Sequence, residues 1–232
     1  MLYYLWNGAR VMAISKGWKW EVLSKDDEYW NTPDFMIHYL DYRWKKLEFK
    51  DFLDIGCGMG RHCIFMSEQG YNVKAFDYSK YVIDVVKDKV YEKNLNVNLT
   101  IGDMSSMPYE NDSIDCMIAI DVLYNSDKEG IKRVLKEMHR VLRVGGETYF
   151  NIISDTSRLD SNEELFNGNE FYYVTEKDFE WLFEDFNVVS VRNINEVNSD
   201  YLNTSAYCIL LKKVHDDNTF NDDKLKESAY LI

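Results

Sequence analysis

The sequence predicts a single α/β domain, a mostly parallel sheet with helices on both faces. Three observations predict it. Short apolar runs alternate with stretches of helical period across residues 49–154. The stretch Asp51-Phe52-Leu53-Asp54-Ile55-Gly56-Cys57-Gly58-Met59-Gly60-Arg61-His62 passes from a strand end through a glycine-rich turn into a helix. Residues 114–120 are almost uninterrupted apolar sequence, as a central parallel strand buried on both faces requires.

Residues 1–48 read as an added helical cap. Thr32-Pro33-Asp34 is a helix start in which Thr caps, Pro fits the first turn and Asp complements the dipole. Phe35, Ile37, Tyr39, Leu40, Trp44 and Leu47 then form an apolar stripe at helical spacing. Trp18, Trp20, Tyr29 and Trp30 precede it, as core aromatics or, for Tyr29 and Trp30, as walls of a substrate pocket.

The core, residues 49–154, opens with a strand at 51–55. Its glycines let the backbone turn sharply and approach a ligand, and the following helix offers unpaired N–H groups to an anion. Asp54 adds a carboxylate suited to a cation. The helix at 61–69 is closed by Gly70, and His62 reads as a helix-surface residue. A strand at 72–77 ends in Asp77, at the spacing where a dinucleotide-type unit places its ribose-binding acid. Ser79 caps the next helix, which buries Tyr81, Val82, Val85, Val86 and Val90. A strand at 97–101 leads to Gly102-Asp103-Met104 and a loop ended by Pro108. The strand at 114–120 ends in Asp121-Val122-Leu123-Tyr124, in the crevice at the carboxyl ends of the strands. A helix at 131–142 follows, then a Gly145-Gly146 turn and a buried strand at 148–153.

Residues 155–174 form a polar insertion, a candidate substrate lid. Residues 175–214 supply a closing helix, with Phe179, Leu182 and Phe183 inward, and strands at 186–191 and 205–214. Residues 215–232 read as a polar, acidic tail.

Four blocks in this order resemble the class I S-adenosylmethionine-dependent methyltransferases: residues 53–60, Asp77-Tyr78-Ser79, Gly102-Asp103-Met104, and residues 114–121 with 140–147. The resemblance covers roughly residues 52–154. It implies a Rossmann-like seven-stranded sheet of order 3-2-1-4-5-7-6 with the last strand antiparallel, and S-adenosylmethionine as cofactor with S-adenosylhomocysteine as product. It implies that Asp77 takes the ribose hydroxyls, that Tyr78 lies against the adenine, and that Asp103 takes its exocyclic amine while the Met104 N–H meets a ring nitrogen. Asp54, Gly56, Cys57, Gly58, Gly60 and Asp121 are then cofactor-binding. Arg61 either reaches the cofactor's carboxylate or lies on the surface. Met104 and Met107 either pack on the purine or fill core gaps.

Composition narrows the function classes. The 232 residues carry 27 Lys and Arg against 40 Asp and Glu, a net charge of −13. That balance counts against binding nucleic acid through its phosphates. Between residues 155 and 200 there are twelve acids against three bases, a solvated acidic face or an attraction for amines. No apolar run spans a membrane, and the first residues lack the basic start and cleavage site of a signal peptide, so a cytoplasmic location is expected. Cys57, Cys63, Cys116 and Cys208 show neither metal-ligand nor disulfide spacing and read as buried, reduced thiols, with a catalytic role open for Cys57 alone. No resident metal is expected; a site on Asp121 and Asp155 lacks a third ligand. The oligomeric state is left open.

The expected function is methyl transfer to a small-molecule nitrogen or oxygen. No Asn-Pro-Pro-Tyr signature follows Asp121, which argues against methylation of nucleobase or glutamine amino groups. If a base is used, Tyr124, Asp121 and His38 are the candidates, with Tyr124 preferred and also lining the acceptor. Two alternatives remain: a cofactor-binding regulator without chemistry, and a nicotinamide-dependent oxidoreductase sharing the first turn and Asp77.

Overall fold

The computed structural model describes residues 25–26, 28–123, 126–157, 172–197 and 203–214. The chain runs α1 (Glu28–Asn31), α2 (Phe35–Lys46), β1 (Asp51–Ile55), α3 (Arg61–Glu68), β2 (Asn72–Asp77), α4 (Lys80–Glu92), β3 (Val97–Ile101), β4 (Ile114–Ala119), α5 (Lys128–Val141) and β5 (Leu142–Ile153). A 3₁₀ turn (Glu176–Asp178), α6 (Phe179–Leu182), β6 (Phe186–Val197) and β7 (Asn203–Lys213) complete it. The strands make one sheet in the order β3-β2-β1-β4-β5-β7-β6. The first five pair in parallel, and β7 runs antiparallel between β5 and β6. The order matches the expected one.

The order reverses beside β1: the chain goes outward to β2 and β3, then returns to β4 on the other side. A ligand crevice is therefore expected at the carboxyl ends of β1 and β4. One face of the sheet packs Phe52, Cys116, Ile118, Tyr149 and Leu210 against α2, α3 and α4. The other packs Leu53, Met117, Phe150 and Ile209 against α5 and α6. This alternation is the period-two consequence of strand geometry.

The cap helix differs from the sequence expectation in two ways. Asp34, not Thr32, is the N-cap of α2, accepting from Met36 N at 2.8 Å. The Thr32 hydroxyl instead donates to the Glu28 carbonyl at 2.8 Å, closing α1. The buried stripe is Met36, Ile37, Leu40 and Trp44, while Phe35, Tyr39 and Leu47 are exposed. The packed face is centred on Ile37, Leu40 and Trp44, which the expected stripe contains, and Phe35, Tyr39 and Leu47 lie off it. A fully buried Glu147 on β5 pins this helix: it accepts from Arg43 Nε and Nη2 at 2.8 and 2.7 Å and from Trp44 Nε1 at 3.0 Å.

Gly145-Gly146 is not a turn but part of β5, which runs unbroken from Leu142 to Ile153. Gly145 takes φ +86°, and the β4–β5 register shifts between Ile114 and Cys116. A Cβ on Gly146 would lie 2.6 Å from the Asp115 carbonyl oxygen, so the glycines admit an irregularity where two backbones approach closely. The closing strands are longer than expected because they pair with each other past the edge of the parallel sheet. No helix among the described residues is long and apolar enough to cross a membrane.

Candidate cofactor and acceptor crevice

The turn after β1 is built for close approach. Gly56, Gly58 and Gly60 all have positive φ. A Cβ on Gly56 would lie 2.6 Å from a Val122 methyl, and one on Gly60 would lie 2.8 Å from Val86, so glycine is required at both. Gly56 N and Cys57 N donate to the Phe76 carbonyl at 2.8 and 3.1 Å, tying the turn to β2.

Three carboxylates converge around it from three neighbouring strands. Asp54, 2% exposed, accepts from Cys63 N at 3.0 Å, inside the first turn of α3. Burial pushes its carboxyl up to about 7, against the Cys63 N–H and the Arg61 charge. Asp77, also buried, accepts from Gly58 N at 3.1 Å and Ser79 N at 2.9 Å, and burial raises it too. Ser79 thus begins α4 without a side-chain cap. Asp121 stands one residue past Ile120, with φ +61°. It forms a reciprocal pair with Asn151 of β5: Asp121 N donates to Asn151 Oδ1 and Asn151 Nδ2 donates to Asp121 Oδ1, both at 2.7 Å. Arg61 Nη2 donates to the other Asp121 oxygen at 3.4 Å. Burial raises the Asp121 carboxyl, opposed by Asn151 and Arg61.

Arg61 is therefore not a surface residue. Its guanidinium lies 5.9 Å from the Trp30 ring centroid, and Trp30 packs with Met59 and Val82 beside the turn. The structure brings Trp30, Arg61, Asp121 and the glycine turn together. Tyr78 is half exposed after β2. Asp103 is held on the loop after β3, accepting from Ser105 N and Oγ at 2.7 Å each, and those bonds lower its carboxyl. Met104 packs partly against the core, and Met107 is buried in it. The side chain of Tyr29, the whole of Tyr124, and residues 1–24, 158–171 and 215–232 of the cap, lid and tail lie outside the described residues.

One expectation is corrected, and one alternative that the sequence left open is closed. His62 is buried, not on the helix surface: its Nε2 accepts from Asp34 N at 3.2 Å, and burial keeps the ring neutral. The helix face it occupies is covered by the start of α2. Cys57 does not have the character of an activated thiolate, since its hydrogen bond with Cys63 and burial push its thiol well up. All four cysteines are free and buried, and no cluster of three metal-ligating side chains occurs among the described residues. Sequence reasoning missed Asn151. The available signal was a lone amide in an otherwise apolar strand whose neighbour ends in Asp121.

The sheet order, the glycine turn and the acid ending β2 define a Rossmann-like seven-stranded fold with one antiparallel strand. Residues 52–146 match the family model described as a methyltransferase domain. Similar proteins include the methyltransferase GfsG of Streptomyces halstedii, 34% identical over 98 residues, covering 40% of this chain and 34% of that protein. A demethylmenaquinone methyltransferase of Listeria welshimeri is 28% identical over 168 residues, covering 62% of this chain and 69% of that protein. The chain's matches span about a third of the length of GfsG and of the probable methyltransferase TehB of Haemophilus influenzae. A solved S-adenosylmethionine-dependent methyltransferase from Methanosarcina mazei shares the fold with a TM-score of 0.62 at 20% identity, covering 79% of this chain and 99% of that one.

Proposed function

We propose that this protein moves a methyl group from S-adenosylmethionine to a nitrogen or oxygen of a small molecule by in-line displacement. One observation carries the reading: the buried carboxylates Asp54 and Asp77 at the ends of β1 and β2, with the partly buried Asp121 beyond β4, surround a turn that tolerates no Cβ. That donor set fits the cofactor. The Asp77 carboxylate already accepts backbone N–H groups of Gly58, Tyr78 and Ser79 and keeps acceptor capacity for the ribose hydroxyls. Tyr78 offers a ring to the adenine, and Asp103 with the Met104 N–H offers an acceptor and a donor to its edge. The facing Arg61–Asp121 pair suits a zwitterionic amino acid moiety, with Asp54 and the N–H groups of the turn behind it. Trp30, with Tyr29 and Tyr124, then lines the acceptor side.

The sulfonium supplies the reacting methyl and its own activation, so this chain's residues mainly align the acceptor and exclude water. Alignment of that kind contributes roughly 7–11 kcal/mol. Tyr124 is proposed as the base where the acceptor arrives protonated. Four buried free thiols fit a reducing, cytoplasmic setting, and the net charge of −13 disfavours a nucleic-acid substrate. The unit proposed is one domain with a cap at 1–48, a core at 49–154, a lid at 155–174, a closing hairpin at 175–214 and a tail beyond.

The test is calorimetric titration with S-adenosylmethionine and S-adenosylhomocysteine, followed by a search for turnover with a pool of small amines, phenols and acids. One-site micromolar binding of both, with product formation, is expected. No heat in folded, ligand-stripped protein sinks the reading. Binding without product from any acceptor favours a regulator that holds the cofactor without chemistry.

A further inference from the structure

A row of polar side chains runs along the sheet from Asp121. Asn151 on β5 stands opposite Cys208 on β7, and Cys208 stands opposite Arg192 on β6. Residues directly opposed in antiparallel pairs share a face, so the row Asp121, Asn151, Cys208, Arg192 crosses one side of the sheet. Tyr149, two residues before Asn151 on the same face, is hydrogen-bonded to Cys208, and the charge of Arg192 acts on both groups.

Arg192 is out of keeping with the other arginines among the described residues. Arg43, Arg61, Arg140 and Arg143 each pair with a carboxylate, and Arg133 is exposed. Arg192 is half-buried, its Nε is buried without a hydrogen-bond partner, and no carboxylate among the described residues pairs with it. An unpaired buried donor is costly. The acids whose charge reaches this hub have other partners: Asp34 Oδ1 accepts from Met36 N, and Asp121 is shared by Asn151 and Arg61. Tyr149 and Cys208 stay neutral near pH 7, since burial pushes both hydroxyl and thiol up.

We infer that Arg192 is the specificity-determining residue of the acceptor site and takes a carboxylate or phosphate on the molecule to be methylated. A planar guanidinium matches either group with two parallel hydrogen bonds. The inference rests on the methyltransferase reading and adds the substrate class to it. Three strand spacings separate the backbones of Asp121 and Arg192, about 14 Å, shortened by the reach of the two side chains. The acceptor is therefore an elongated anion, with its nucleophile at the Asp121 end and its charge at the Arg192 end. The acidic surface elsewhere does not oppose this, because a single desolvated cation inside the crevice outweighs screened charges beyond it.

The test uses four probes of one size, benzoate, phenyl phosphate, benzyl alcohol and benzylamine, titrated into the full-length protein with and without saturating S-adenosylhomocysteine. Wild type is expected to bind the two anions at least tenfold more tightly than the alcohol or the amine. Arg192→Met should erase that preference, and Arg192→Lys should retain part of it, with circular dichroism confirming that both variants fold. Equal binding of all four probes, or an anion preference that survives in Arg192→Met, overturns the inference. If Arg192→Met does not fold, Arg192→Lys decides alone: a preference undiminished there also overturns it. The parallel S-adenosylhomocysteine titration of wild type separates the two failures. Cofactor binding without anion preference sinks only the assignment of Arg192, whereas absence of cofactor binding sinks the methyltransferase reading itself.

Discussion

The two halves of the sheet hold their polar groups by different means. In the half formed by β3, β2, β1 and β4, carboxylates are fixed mainly by backbone N–H groups, several of them close in sequence: Asp54 by Cys63, Asp77 by Ser79 and Gly58, Asp103 by Ser105. In the half formed by β5, β7 and β6, the polar groups bond to side chains far away in sequence: Glu147 to Arg43 and Trp44, and Asn151 to Asp121 beyond the end of β4. A carboxylate bonded to a local turn is specified by a short motif. One bonded across the fold is specified only once the fold exists. The first half therefore behaves as a preformed cradle, and the second as a frame whose geometry depends on the cap helix docking correctly.

The largest effect that tests this contrast is on stability. Glu147→Ala removes a fully buried acceptor, leaves the Trp44 indole N–H unpaired and strands Arg43, which is raised mainly by its bond to Glu147. A loss of about 3 kcal/mol is expected in chemical denaturation. Glu147→Gln, which keeps an acceptor for Trp44, should lose less. If both variants unfold like wild type, the cap helix is not held by this residue and the contrast fails. Asp77→Ala tests the other half. It should leave the fold largely intact but weaken cofactor binding roughly a hundredfold, about 2–3 kcal/mol for two charge-assisted hydrogen bonds. Asp103→Ala, on an exposed loop, should weaken it less. Normal calorimetric affinity in both variants would remove the cradle from the cofactor site.

The same contrast explains what was legible in the sequence. The glycine turn, Asp77 and the strand at 97–101 could be read because their bonds are local and only glycine permits their backbone. The sheet order was legible through the resemblance, not through periodicity. Asn151 and Glu147 were not legible, because a polar residue inside an apolar strand gives no hint of its partner until β4 and α2 are placed beside it. His62 was misread for the same reason: helical spacing puts it on a face, and only the start of α2 shows that the face is covered. Gly145-Gly146 looked like a turn because glycine pairs usually break elements. Here the tight approach to the Asp115 carbonyl, not a reversal, demands them.

The smallest effect expected is the most diagnostic of the cradle. Burial holds the Asp54 carboxyl at about 7, far above an unfolded carboxylate. A group raised on folding contributes stability while it is protonated and loses it as pH climbs through that value, because the unfolded chain then binds fewer protons than the folded one. Asp54 should therefore lower the melting temperature of the ligand-free protein between pH 5.5 and pH 8, seen as the difference between wild type and Asp54→Asn; Asp77 and Asp121, also raised by burial, act in the same direction, and His62, lowered by burial, acts in the opposite one. Cofactor binding should show the opposite slope, since a cation is favoured by the ionised carboxylate: S-adenosylmethionine affinity should rise roughly tenfold between pH 6 and pH 8. Asp54→Asn should flatten part of both slopes and leave the remainder to Asp77 and Asp121. An affinity independent of pH across that window in wild type would mean that no buried carboxylate of the cradle faces the cofactor's charge. The turn would then serve only to join β1 to α3.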